Sequence, residues 1–265
     1  MNLNRTYGVE IEFIGDRVSV AQAVREAGLD CSVEGYNHIT RPHWKVVTDA
    51  SVKVNGISGL GGEIVSPILS GAEGFEQIEK VCRALKSAGA SVNITCGLHV
   101  HHDARDFRTE TFKNLIKIYR RFEPTIDELV APSRRGNTNT YCQTLTGINM
   151  EEILKKNTLQ QIIPYYGDRY RKLNLRSFAT HGTIEFRQHQ GTIDSKKIIN
   201  WIKLTQAMVE RAVTRRVKEG TTKDWESFKY FLFLNPNPNC RVSSYDEETK
   251  EMLKYFGKRR KELAA

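Results

Sequence analysis

No stretch of this sequence approaches the roughly 20 consecutive apolar residues that a membrane span requires. Its first residues, Met1 to Thr6, hold no apolar core of the kind an export signal uses. The five cysteines (31, 82, 96, 142 and 240) are an odd number without a Cys-x-x-Cys pair. That pattern argues against a disulfide framework and for reduced thiols, so a cytoplasmic protein without a membrane partner is expected. Two phosphate-binding signatures are also missing. No Gly-Lys-Ser/Thr completes a P-loop, and no Gly-x-Gly-x-x-Gly opens a helix.

What is present describes a folded chain. With 265 residues, 39% of them hydrophobic and 27% charged, it has the composition of a globular protein and the length to bury a sizeable core. Lys and Arg number 40 against 31 Asp and Glu, a net charge of +9. That excess favours an acidic partner: nucleotide phosphates, nucleic acid or a polyanionic substrate. It does not choose among them, and solubility alone would explain it equally well.

Four stretches carry the candidate chemistry, and all use the same device. In Tyr7 to Phe13, Val9, Ile11 and Phe13 alternate with Glu10 and Glu12, the period of a strand with one oily face. Two carboxylates at i and i+2 point the same way, about 7 Å apart. Such a pair repels unless a cation lies between, which suggests a hard divalent ion. In Gly97 to His101, His99 and His101 share the face opposite Leu98 and Val100, as candidates for metal or phosphate. From Lys172 to Phe178, Asn174 and Arg176 oppose Leu173 and Leu175. From Thr183 to Gly191, Glu185, Arg187 and His189 oppose Ile184 and Phe186. The short stretch Ala179 to Gly182 reads as a turn making the last two strands an antiparallel hairpin.

The intervening chain is plainer. Helices are expected from Val20 to Ala27 with Ser19 as cap, around Phe75 to Leu85, and from 109 to 130 with a bend or stop near Pro124. Further helices are expected over 151 to 163, after Asp194 or Ser195, around Trp225 to Leu232, and at the C-terminus beyond a Pro/Asn turn at 235 to 239. Gly56 to Gly62 reads as a flexible hairpin turn more readily than as a phosphate loop. Ala131 to Thr140 reads as a mobile polar loop whose Arg134 and Arg135 suit an anion clamp.

Any one of the four patterned strands, alone, is well explained as a solvated face. Their repetition points to an α+β fold: one antiparallel sheet, helices over its apolar face, and a polar active-site basin on the other. Carboxylates holding a divalent metal beside Arg and His suit metal-nucleotide or phosphate chemistry, where positioning and charge neutralisation do most of the work.

Gly8-Val-Glu-Ile-Glu-Phe13, Asp49-x-Ser51, Gly62-Glu-Ile-Val-Ser-Pro67, Cys96-Gly-Leu-His-Val-His101, Asn174-Leu and Thr183-Ile-Glu-Phe-Arg187 with Gly191-Thr192 resemble, as an ordered set, the amidoligase family. That family is related to glutamine synthetase and gamma-glutamylcysteine synthetase. The resemblance runs from about residue 7 to 210 and leaves the tail uncovered. A catalytic domain over 1–220 and a helical extension over 221–265 packed on it are therefore expected. It implies a glutamine synthetase-like catalytic fold and an ATP-dependent ligase joining an acid and an amine, small molecules or peptides, through an acyl phosphate. Glu10, Glu12, Glu63 and Glu185 resemble metal ligands, for magnesium or manganese in its place, with His99 as a further member. Arg187, and after it Arg176, would neutralise the transferred phosphoryl group. Asp49 stands where relatives bind or deprotonate the amine. His101, Asn174, Arg134 and Arg135, with His99, would contact the nucleotide.

Two other classes stay open. A metal-dependent hydrolase would use the same carboxylates and histidines without ATP. A nucleic-acid binder, or a ligase modifying a base in DNA, would use the positive charge, although the basic residues are dispersed along the sequence and match no nucleic-acid motif.

Overall fold

The computed structural model describes residues 5–218, 224–233 and 246–264. The Pro/Asn turn expected at 235 to 239 lies outside them. Among the described residues nine strands follow in chain order: β1 (Tyr7–Ile14), β2 (Cys31–Val33), β3 (Trp44–Val47), β4 (Lys53–Val54), β5 (Ile57–Ser58), β6 (Gly61–Val65), β7 (Gly97–Asp103), β8 (Leu173–Asn174) and β9 (Thr183–Gln190). The helices are α1 (Arg17–Glu26), α2 (Gly71–Ser87), α3 (Thr109–Asp127), α4 (Met150–Lys155), α5 (Leu159–Tyr166), α6 (Ser177–His181), α7 (Ser195–Thr214), α8 (Trp225–Phe233) and α9 (Glu247–Ala264). Among the described residues no helix is long and apolar enough to cross a membrane.

The chain forms two compact units. One, the sheet unit, comprises residues 3–103 and 185–202; the other, the helical unit, comprises 1–2, 104–184 and 203–265.

In the sheet unit the strands lie in the order β2-β3-β6-β1-β7-β9. The register puts Glu12 opposite Glu63 and Glu10 opposite His99, while on the other face Ile11 lies between Ile64 and Leu98. Alternation thus sorts the two faces. Val9, Ile11, Phe13, Val46, Ile64, Leu98, Val100 and Phe186 are fully buried in the apolar core. Helices α1 and α2 close that core: Phe75 of α2 stacks on Tyr7 with centroids 5.7 Å apart, and Trp44 Nε1 donates to Gln77 Oε1 at 3.0 Å. Helix α1 is capped by Asp16, whose carboxylate accepts from Ser19 N, rather than by Ser19 itself. A carboxylate serves better there than a hydroxyl because it also meets the positive end of the helix.

The sheet departs from the all-antiparallel expectation at one edge. β2 and β3 pair in parallel, because residues 34–43 between them carry the chain back to the same end before β3 begins. The glycine-rich stretch does form a hairpin. Asn55 and Gly56 both take positive φ, 51° and 82°, the two-residue turn that matches strand twist, and β4 and β5 form its arms. Gly61 and Gly62 belong to β6, where a side chain on Gly62 would collide with the Val47 carbonyl and with Arg17.

The helical unit is organised on α3, which runs through Pro124 to Asp127 instead of stopping there. Phe122 of α3 packs against Phe228 and Phe231 of α8 at 4.9 and 5.3 Å between centroids, and Trp225 meets Phe256 of α9. A buried ion triplet lies beside this core. Lys172 Nζ donates to Glu123 Oε1 at 2.7 Å and to Asp127 Oδ1 at 2.6 Å. The second oxygens of these carboxylates accept from Leu145 N and Gly136 N, at 2.9 and 2.8 Å.

The expected strand from Lys172 to Phe178 and the turn after it are corrected here. Only Leu173 and Asn174 are extended. Asn174 Oδ1 then accepts from Arg176 N at 2.9 Å, an Asx turn that ends the strand, and Ser177 to His181 coil into α6 with Gly182 as a left-handed cap.

Candidate active site

The polar face of the sheet unit gathers seven of the residues singled out in the sequence, because four neighbouring strands present them at alternate positions. β1 supplies Glu10 and Glu12, β6 supplies Glu63, and β7 supplies His99 and His101. β9 supplies Glu185 together with Arg187. Asp49 follows β3, with its Oδ1 accepting from Ser51 N at 2.6 Å.

His99 is the hub of the cluster. Its Nδ1 lies 3.1 Å from Glu10 Oε2, 3.6 Å from Glu185 Oε1 and 3.9 Å from Glu63 Oε1, while its Nε2 lies 3.6 Å from Glu12 Oε1. His101 Nε2 sits 3.3 Å from the other oxygen of Glu10 and 4.0 Å from Glu185. Glu12 also accepts from Gly97 N at 2.6 Å, which fixes the carboxylate against the start of β7. Arg187 is ion-paired with Glu185.

The electrostatics of this face are those of crowded anions. Burial would raise Glu10, but the charge and hydrogen bond of His101, with those of His99, hold it well below the usual carboxylate range. Burial also raises Glu185, and Arg187, His101 and His99 overcome it. Glu63 goes the other way: burial first, then the charges of Glu10, Glu12 and Asp49, push it well above the usual range. His101 is depressed by burial yet raised on balance by Glu10 and Glu185.

Three sets of ligand atoms each lie within 4.8 Å of one another: Glu10, His101 and Glu185; Glu10, Glu63 and His99; and Glu12, Asp49 and Glu63. The donors fit a hard divalent cation. Carboxylate oxygens dominate, and Glu63 is a carboxylate whose repulsion from three neighbours a cation would relieve. The two imidazoles widen the fit to manganese.

One member of this face escaped notice in the sequence. Lys45 of β3 is 2% exposed and lies on the site face, opposite Val65, which in turn faces Glu10. Its ammonium donates to Asn37 Oδ1 and Ile39 O, both at 2.7 Å, and to Asn37 O at 3.2 Å. Burial lowers its affinity for the proton, and the charges of Glu34, Glu10 and Glu63 work against that. The available signal was a lysine inside the otherwise apolar strand Trp44-Lys-Val-Val47, a position that a solvated lysine does not occupy. His189 continues the alternation of β9, but its ring rests on Trp201 with centroids 5.1 Å apart.

Four other expected residues belong to the helical unit. Asn174 is buried and spends its side-chain oxygen on the Asx turn. Arg176 stands at the start of α6, its Nε donating to Gly167 O at 2.9 Å. The loop of Arg134 and Arg135 is anchored rather than free. Arg134 lies 3% exposed in a short 3-10 turn, and Arg135 donates to Val130 O at 3.0 Å and Leu263 O at 3.2 Å. The Lys172 triplet adds to the anchoring, since its carboxylates hold Gly136, next to Arg135, and Leu145 beyond the end of the stretch.

A family profile described as "Putative amidoligase enzyme" matches residues 3–209. No curated protein matches the chain. Among solved structures it is similar to a bifunctional glutathione synthetase from Pasteurella multocida, at 12% identity and a TM-score of 0.44. That alignment covers 99% of this chain and 45% of the other, so this chain spans less than half the length of the structure it matches. At that score the likeness says nothing about chemistry.

Proposed function

We propose, for a chain that belongs to the amidoligase family, that the polar face of its sheet performs ATP-dependent ligation of a carboxylate to an amine. Family membership supports an enzyme of the carboxylate–amine ligase class. The observation that carries the finer reading is the convergence of Glu10, Glu12, Glu63, Glu185 and two histidines on one face beside a partly buried, ion-paired arginine.

In this reading Glu10, Glu12, Glu63 and Glu185 hold magnesium, with His99 and His101 at its border, and the metal supplies charge neutralisation for the ATP phosphates. The acid substrate's carboxylate oxygen forms a bond to the γ-phosphorus while the bridging bond to ADP breaks. Arg187 carries the compensating charge: burial would weaken its hold on its proton, but Glu185 and Glu10 strengthen it, so it stays cationic throughout. The amine nitrogen then attacks the acyl carbon, inorganic phosphate leaves, and the nitrogen's proton passes to the Asp49 carboxylate. Lys45, held in place by Asn37 and Ile39, adds a fixed positive charge to the same face. The glutamine synthetase-like reading of the fold belongs to this proposal, supported by the ladder of carboxylates on a mostly antiparallel sheet.

A titration of ATP into the protein, followed by calorimetry with and without magnesium, tests the reading. Magnesium-dependent binding, with ADP released on addition of acid and amine, is expected. Absence of nucleotide binding with every divalent metal would overturn it. It would favour a metal-dependent hydrolase, for which the two histidines among the carboxylates are the supporting observation.

A further inference from the structure

The excess positive charge of this chain is not spread over the molecule. The sheet unit has 12 Lys and Arg against 14 Asp and Glu, a balance of −2; the helical unit has 28 against 17, a balance of +11; together they give the +9 of the whole sequence. The candidate active site therefore lies in the unit without the surplus. The surplus of eleven cations is carried by residues of the helical unit.

Part of that surplus converges on one place. Between Thr111 and Glu123 of α3, the positions that are not buried are Lys117, Arg120 and Arg121, so what this helix shows at its surface there is basic throughout. Asn114, one and two turns before Lys117 and Arg121 on the same stripe, donates to Ala212 O at 3.2 Å and Arg215 O at 2.9 Å, and accepts from Val217 N. It thereby lays the end of α7 and the residues after it alongside that stripe, and those residues are Arg211, Arg215, Arg216 and Lys218. The guanidinium groups of Arg121 and Arg211 both lie over the Phe231 ring, 5.9 and 5.8 Å from its centre. Burial, and after it the nearby charge of Arg215, push Arg211 down to about 10.

The apolar groups exposed on this unit identify the partner. Among the described residues they are Tyr141, Tyr165, Tyr230 and Val213, three of them tyrosines, whereas the exposed isoleucines Ile57, Ile68 and Ile94 belong to the sheet unit. A lipid surface is met by aliphatic or tryptophan anchors among basic residues. Unpaired bases are met by aromatic rings that offer a flat face beside guanidinium groups. Tyr230, 62% exposed, directly precedes the Phe231 that the two arginines cover.

We infer that the helical unit carries a binding face for single-stranded nucleic acid, built from Lys117, Arg121, Arg211, Arg215 and Arg216 around α3 and the end of α7, with Tyr230 as a stacking platform. The arginines hold phosphates, and the tyrosine takes a base without regard to its identity. This face is independent of the ligase reading, since none of its residues lies in the sheet unit.

The test is fluorescence anisotropy of a labelled oligothymidylate of about 20 nucleotides with the full chain. For three or four phosphates held, raising salt from about 50 to 200 mM should weaken binding about 20- to 50-fold. The double variant Lys117→Glu/Arg216→Glu should bind at least about tenfold more weakly with an unchanged melting temperature. The same charge change in α2, Arg83→Glu/Lys86→Glu, should leave affinity within about twofold. Tyr230→Ala should cost about fivefold or more and keep the salt slope. The inference is overturned by absence of binding at low salt, by equal losses in the two double variants, by tighter binding to duplex of the same length, or by tighter binding to phosphatidylserine vesicles than to the oligonucleotide.

Discussion

Glu10 and His99 stand directly opposite each other on β1 and β7, and their side chains meet as well, Oε2 to Nδ1 at 3.1 Å. Since the other oxygen of Glu10 is 3.3 Å from His101, this one carboxylate is shared by two imidazoles. It also belongs to two of the three sets of ligand atoms. Removing its charge should therefore disturb the face more than removing any neighbour.

Glu10→Gln should retain the fold and melting behaviour while weakening magnesium-dependent ATP binding at least about tenfold, roughly 1.4 kcal/mol or more. Calorimetry on the variant decides it. Nucleotide affinity equal to that of the parent would remove Glu10 from the metal site.

Glu63→Gln should act in opposite directions on stability and on binding. The carboxylate is pushed up by burial and by Glu10, Glu12 and Asp49, so a neutral amide relieves repulsion in the metal-free protein. A gain of about 1 kcal/mol, or roughly 2–4 °C in melting temperature, is expected without divalent ions. Added magnesium should stabilise the parent more than the variant. A lower melting temperature without metal would mean that Glu63 is held by interactions other than these.

Replacement of Lys172 by methionine should be among the most damaging single changes outside the candidate site. It leaves Glu123 and the partly buried Asp127 without their shared cation, and such losses cost about 3–5 kcal/mol. Urea unfolding should show the loss, and proteolysis between Gly136 and Leu145 should accelerate. Unchanged stability would show that the triplet contributes nothing net.

Alkaline pH should destabilise the protein in part through Cys82. Burial raises this thiol from 9.0 to about 12. The folded-state value is higher than the unfolded one, so the native protein holds the proton more tightly. The contribution is complete below pH 9 and is lost as pH rises towards 12. Cys82→Ala should be less stable than the parent at pH 8 because it leaves a small cavity, and the gap should narrow by up to about 1.4 kcal/mol per pH unit above 9. A constant gap across pH 8 to 11 would exclude titration of this thiol.

The sequence is most informative where alternation and register coincide. Glu10, Glu12, His99 and Glu185 could be placed on one face from period-2 spacing alone, because each is flanked by aliphatic residues that the core must take. Arg176 shows the limit of that reasoning. The spacing Leu173-Asn-Leu-Arg176 is as regular as that of β1, yet Asn174 turns its oxygen to the backbone of Arg176 and ends the strand. A local hydrogen bond overrides a pattern when the strand is only two residues long. Lys45 shows the converse. Burial of a lysine is set by carbonyls of a loop six to eight residues away, Asn37 and Ile39, and periodicity does not register them. The basic face of the helical unit was hidden for a third reason. Its members come from α3 and from residues some ninety positions later, so they look scattered until Asn114 draws the two segments together.

The β4–β5 ribbon gives the experimenter a handle on all of this. Asp49 precedes it by a few residues, its Asn55-Gly56 tip is turned outward, and Asn93 and Thr95 hold its base by hydrogen bonds to both backbone groups of Lys53. The cysteines at 31, 82, 96 and 142 are all buried. With Cys240→Ala in place, a thiol introduced at Ser58 could therefore take a dye while those four stay silent. Tethered to a stiff arm a few residues from the candidate amine-binding carboxylate, the dye would convert occupancy of the sheet face into an optical signal.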